Sequence, residues 1–174
     1  LDGSGTTLST GKIGIGTTTP GAKLHIVGNA DDEQLVITAN ATQSNTNPLV
    51  KFFKSDGTTE LLRIHSDDIT NLFIGLNAGR VNSQVGGGEN GLYNVFVGSN
   101  AGYSNTTGAW NTAVGRVSLY SNTIGGDNTA VGFNALYSNT EGNFNTVVGS
   151  EAMYSNTTGG YNTVLGGSAL RLNT

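Results

Sequence analysis

His25 and His65 are the only imidazoles in the chain, and they lie in different segments without a His-x-x-x-His spacing. Strand histidines are expected there rather than a metal pair. Gly16–Lys23, GTTTPGAK, has the outline of a phosphate loop. Ala22 separates Gly21 from Lys23, no Ser or Thr follows the lysine, and no helix is expected after it, so nucleotide binding is set aside. Carboxylates gather at Asp31-Asp32-Glu33 and at Asp67-Asp68, and oxygen ligands suit calcium. Neither group carries a known loop signature, so both read as acidic turns. Gly125-Gly126-Asp127 matches one fragment of a calcium-binding nonapeptide repeat but occurs once. Cysteine is absent, which removes disulfides, thiolate zinc sites and cysteine nucleophiles together. No carboxylate pair set for glycoside cleavage can be picked out. The expectation is a chain with no metal, no cofactor and no catalytic residues.

Aromatic residues are the stronger candidates. Tyr103, Tyr120, Tyr137 and Tyr154 recur at a fixed spacing, and so do Trp110, Phe144 and Tyr161 with Tyr93 before them, interrupted by Asp127. Exposed aromatic rows are surfaces on which sugars stack. Tyrosine also fills the edge of a core while its hydroxyl reaches water. The tyrosine row is read as structural. The row through Trp110 is read as a candidate contact surface, together with Glu89 and Asn90 nearby.

The element that must position these residues is a repeat. NTAVGFNALYSNTEGNF begins at Asn128, and NTVVGSEAMYSNTTGGY follows from Asn145. Units begin at Asn71, Asn94, Asn111, Asn128, Asn145 and Asn162, the last five 17 residues apart. The first unit is 23 residues long because Val81–Tyr93, VNSQVGGGENGLY, carries about six extra. An insertion in a stacked coil must leave it as a loop on one face, where binding residues concentrate.

Position four of each unit is aliphatic (Ile74, Val97, Val114, Val131, Val148, Leu165), and position five is glycine (Gly75, Gly98, Gly115, Gly132, Gly149, Gly166). A three-residue β-run closed by glycine predicts a short strand and a corner. Position four is expected to face a continuous core. Position three (Phe73, Phe96, Ala113, Ala130, Val147, Val164) is then expected on the opposite face, against sister chains. Asn94, Asn111, Asn128, Asn145 and Asn162 are expected to hydrogen-bond up the stack, as side-chain ladders do in cross-β assemblies. The fold class is therefore all-β: a parallel β-solenoid of 17-residue repeats whose stability comes from stacking.

Composition agrees. Only 11% of the 174 residues are charged and the formal charge is −4. Without a basic cluster the chain is a poor partner for nucleic acid. No apolar run is long enough to span a membrane as a helix. Residues 1–11 read as a flexible lead-in, 12–70 as a shaft or collar of short strands, and 71–174 as the solenoid. Within 34–70, QLVITANA reads as a strand, while LVKFFK and TELLRIH flank a hairpin turn at Asp56-Gly57.

The repeated N-T-A-V-G-x-x-A-L resembles the N-S-x-A-I-G-x-x-A head repeats of trimeric autotransporter adhesins, although the unit here is longer. The Y-S-N-T-x-G half is similar to arrays in tail-fibre proteins of phages and contractile injection particles. Lys12–Val27, KIGIGTTTPGAKLHIV, is similar to the G-I-G-T-x-x-P-x-x-K-L-H-V motif of those fibres. The resemblance implies a homotrimeric, extracellular or virion-borne attachment fibre that meets a cell-surface glycan or receptor, or the head of a bacterial adhesin. A polysaccharide-degrading spike and an ice-binding solenoid, the latter suggested by stacked threonines, are the other readings.

Overall fold

The computed structural model describes residues 6–9, 12–15, 24–26, 50–53, 60–65, 70–84 and 86–173. The chain divides into two compact units, Leu1–Ala39 and Asn40–Thr174. In the first, β1 (Thr6–Ser9) pairs antiparallel with β2 (Lys12–Ile15), and β2 pairs parallel with β3 (Leu24–Ile26). The lead-in expected over 1–11 thus contains a strand, which pairs with the KIGI run. The phosphate-loop stretch between β2 and β3, both acidic turns, QLVITANA and the Asp56-Gly57 turn lie outside the described residues.

The second unit is one eight-stranded sheet. β4 (Val50–Phe53) pairs antiparallel with β5 (Glu60–His65), and β5 pairs antiparallel with β6 (Leu72–Ile74). Then β7 (Val95–Val97), β8 (Thr112–Val114), β9 (Thr129–Val131), β10 (Thr146–Val148) and β11 (Thr163–Leu165) follow in order, all parallel. Pairing keeps the repeat register throughout: Leu72 faces Val95 across the 23-residue unit just as Thr112 faces Thr129 across a 17-residue one. Among the described residues no helix forms. Six parallel strands and the turns between them make a β-solenoid.

Coil is tied to coil around its circumference, not only along the strands. At position nine, Leu119 N–H donates to Ala135 O at 2.9 Å. At position eleven, Ser121 N–H donates to Tyr137 O, and at position thirteen Thr123 N–H donates to Thr140 O. Other backbone groups are paired inside their own coil, as where Asn122 N–H donates to Leu119 O, so the turns as well as the strands satisfy their hydrogen bonds.

The inward face is position three, not position four. Phe73, Phe96, Ala113, Ala130 and Val147 are wholly buried, whereas Val97 and Val131 are half-buried and Val114 and Val148 are 37% and 36% exposed. The physical reason is parity. Alternate residues of a strand share a face, and the asparagine at position one is also buried, so positions one and three point in and two and four point out. The steady aliphatic character of position four marks an outward strip instead of a core.

Over the first four coils the core keeps its volume nearly constant by sharing it between positions three and nine. Phe73 and Phe96 face Gly79 and Gly102, where a Cβ would lie 2.8 and 2.5 Å from the phenyl rings. Where position three is Ala113 or Ala130, position nine is Leu119 or Leu136; where it is Val147, position nine is Met153. In the first four of these coils large meets small, as close packing demands. Leu119, Leu136 and Met153 adopt left-handed backbone, with φ of 51°, 51° and 47°. That conformation costs roughly 1–2 kcal/mol, and the burial of the side chain offsets it.

The asparagine ladders form as expected. Asn94 Oδ1 accepts the Asn111 N–H at 2.9 Å, Asn111 Oδ1 that of Asn128 at 3.1 Å, and the pattern continues through Asn145 to Asn162. Position twelve makes a second ladder, with Asn122 Nδ2 donating to Asn105 Oδ1 at 2.7 Å and Asn139 Nδ2 to Asn122 Oδ1 at 2.9 Å. Both ladders converge on one carbonyl per coil: Gly125 O accepts from Asn111 and from Asn122, each at 2.8 Å. The second ladder ends at Asn156, whose Oδ1 is buried without a donor because Asn173, the next rung, is exposed. At position five, Gly98, Gly115, Gly132 and Gly149 have φ of 135–148°. A Cβ on Gly115 would sit 2.5 Å from Gly132 O, so a side chain is excluded by conformation and by space.

Candidate recognition site

Position seventeen closes each coil just before the inward asparagine. Tyr93, Trp110, Asp127, Phe144 and Tyr161 share left-handed backbone, φ 55–60°. Their N–H groups donate to the preceding coil: Trp110 to Leu92 O, Asp127 to Ala109 O, and Phe144 to Gly126 O. This turn carries each side chain outward, rung above rung. Tyr93 stacks on Trp110 with ring centres 5.5 Å apart, and Phe144 stacks on Tyr161 at 4.9 Å. Asp127 occupies the rung between the two pairs. Glu89, Asn90, Tyr93 and Trp110 are therefore brought to one region, whereas Phe144 and Tyr161 form a separate pair beyond Asp127.

The insertion is pinned at both ends. Ser83 N–H donates to Thr106 O at 2.7 Å and Gly91 N–H to Thr107 O at 3.0 Å. Gly91 O accepts Asn71 Nδ2 at 2.8 Å and Asn82 Nδ2 at 2.7 Å, the role that Gly125 O plays in a standard coil. The extra residues accordingly leave the coil between Ser83 and Gly91. Their far end, Glu89 and Asn90, joins Thr107, Trp110, Ile124 and Asp127 around an open cleft of about 260 Å³. Trp110 is 42% exposed there. Glu89 and Asp127 are the charged groups lining the cleft, and both are acids.

Thr107, Ile124 and Asn143 also line it without having stood out in the sequence, and Asp127, the break in the aromatic row, lines it too. Their repeat positions were visible, at fourteen, sixteen and seventeen of neighbouring coils. The side on which the insertion folds back was not. Gly125-Gly126-Asp127, set aside as a calcium fragment, supplies this cleft with its second carboxylate. Among the described residues no group of three or more His, Asp or Glu side chains comes together.

The tyrosine row is a closed stack. Tyr103, Tyr120, Tyr137 and Tyr154 lie 5.0, 5.1 and 4.9 Å apart. Arg80 and Arg171 cap its two ends, with guanidinium carbons 5.3 and 5.2 Å from the outermost ring centres. Arg80 also donates to the Tyr103 hydroxyl, and Arg171 Nε meets Glu151 Oε2 at 2.8 Å. Every ring face in the row is covered, which leaves no face for a sugar and agrees with a structural role. Burial pushes the Tyr137 phenol above its ordinary value, and the neighbouring Tyr154 and Tyr120 add to the shift.

No known protein family, curated protein or solved structure matches this chain, so the repeat and the geometry of this face carry the functional reading.

Proposed function

We propose that the chain is a structural segment of an extracellular attachment fibre, assembled as a homotrimer, whose insertion and aromatic column form a receptor-binding surface. The observation that carries this reading is the pinned insertion. A 23-residue unit keeps the register of its 17-residue neighbours, so the extra residues serve no stacking purpose, yet they are held against an exposed tryptophan. A loop mounted on a rigid scaffold is where recognition residues concentrate. Residues 12–70 act as the shaft or collar in this reading, and the head of a bacterial trimeric adhesin is the alternative to it.

Assembly is expected through the outward strip of positions two and four. Val114, Val148 and Leu165 of position four are 37%, 36% and 80% exposed and share one register along the sheet, and Leu72 of position two, 43% exposed, lies on the same face. A solenoid core does not use that face, and water is a poor solvent for it. Sedimentation at micromolar concentration should return three times the chain mass, and a monomer with intact β signal would refute the trimer. Trimming the insertion to the 17-residue unit should preserve assembly and reduce attachment to host cells. Unchanged attachment in the trimmed protein and in Trp110→Ala would make this segment a spacer.

The ice-binding reading rests on two threonine columns, Thr112, Thr129, Thr146, Thr163 and Thr106, Thr123, Thr140, Thr157, and it loses the second. Thr106 and Thr123 donate their hydroxyls to the carbonyls of Thr123 and Thr140, at 2.8 and 3.0 Å, instead of presenting them to a lattice. Thermal hysteresis of the purified chain separates the two readings.

A further inference from the structure

The aromatic column of position seventeen lacks one ring, at Asp127. Coils repeat at roughly 4.8 Å, so Trp110 and Phe144 are two rungs apart, about 10 Å. Trp110 and Phe144 are 42% and 49% exposed, and each is stacked on its outer side only, on Tyr93 and Tyr161. By that spacing a flat group on the Asp127 rung would lie about 5 Å from either ring, and the cleft beside this rung is lined by Trp110, the Asp127 carboxylate and Glu89.

The same molecule shows what fills such a place. Arg80, Arg116 and Arg171 each set a guanidinium over the ring of an adjacent coil, at 5.3, 5.5 and 5.2 Å from the centres of Tyr103, Phe133 and Tyr154. Arg171 combines the ring with a carboxylate, Glu151. A guanidinium is planar, stacks on aromatic faces and pairs with carboxylates through fixed donors. Asp127 and Glu89 have no cation within ion-pair distance among the described residues.

We infer that the gap at Asp127 is a binding site for a guanidinium group, presented by an arginine of a partner protein, which enters as the missing rung between Trp110 and Phe144. This names the chemistry of the recognition surface proposed above and rests on that reading. A lysine would bring the charge without the flat face, and a neutral sugar would leave two carboxylates without a counter-charge.

Trp110 is the single tryptophan of the chain, so its emission reports on the site directly. The full chain is titrated with Gly-Arg-Gly, with the same peptide carrying citrulline in place of arginine, with Gly-Lys-Gly and with glucose. The arginine peptide should change Trp110 emission saturably, and the other three should bind about tenfold more weakly or worse, a difference of 1.4 kcal/mol. Asp127→Asn should weaken the arginine peptide by a similar factor. Asp127→Phe completes the column in the backbone conformation that Phe144 already adopts, φ 57° at both, and should abolish binding while keeping the β signal. No saturable response, equal response to citrulline, lysine or glucose, or binding retained in both variants overturns the inference. If the arginine peptide fails while trimming the insertion still abolishes cell attachment, the recognition surface stands and its guanidinium chemistry falls. If neither responds, both fall.

Discussion

Exchanging the core volumes of one coil tests the packing rule most directly. Ala130 faces Leu136, whereas Phe96 faces Gly102. Ala130→Phe alone drives a phenyl ring into the space of the Leu136 side chain, and overpacking of this kind costs about 1–3 kcal/mol. Leu136→Gly alone removes a wholly buried side chain and leaves a cavity, a loss of about 2–5 kcal/mol. Relief of left-handed strain at φ 51° returns roughly 1 kcal/mol of that. Independent sites would thus lose about 2–7 kcal/mol in the double variant. The double variant instead rebuilds the Phe96–Gly102 arrangement and should lie within about 2 kcal/mol of the parent, so single losses near the middle of that range, about 4–5 kcal/mol together, give a coupling energy of at least about 2 kcal/mol. Urea unfolding followed by far-ultraviolet circular dichroism, at one protein concentration for all four proteins, closes the cycle. A double variant as unstable as the two losses combined would show that positions three and nine do not share one space.

The face assignment makes Ala130→Asp far more damaging than Val131→Asp, because the first buries an unpaired carboxylate at several kcal/mol. Val131→Asp should fold but sediment as a smaller species, and equal melting of the two variants would reverse the assignment. Asn128→Ala removes the Oδ1 that accepts both the N–H and the Nδ2 of Asn145, and should lose about 1–3 kcal/mol in thermal unfolding. Thr146→Ala, on the outward face, should change stability by less than about 0.5 kcal/mol. Tyr137 titrates above its ordinary value when folded, so the folded state keeps its proton longer than the unfolded chain does. Its contribution is fully present below about pH 10 and is lost as pH rises through the folded value. Melting temperature scanned from neutral to alkaline pH should fall in that window, and Tyr137→Phe should remove part of the fall.

Much of the architecture was legible in the repeat. Columns of identical residues show that coils stack in register, since only a translation of one coil onto the next brings Asn111 over Asn94 or Gly115 over Gly98. The surplus in the first unit likewise required a loop, and the aromatic spacing required a row of rings. The sense of the strand was another matter. A three-residue strand has two faces, both apolar here, and a shift of one residue exchanges them. Constant chemistry at position four pointed to the core, whereas a core requires only that facing volumes add to the same space. Phe96 with Gly102 and Ala130 with Leu136 meet that requirement through residues six apart, a pairing that no column shows by itself. The return of Glu89 and Asn90 onto Trp110 and Asp127 also belongs to the tertiary structure. It depends on where Ser83 and Gly91 anchor the loop to the neighbouring coil, and those hydrogen bonds exist only once the coils are stacked.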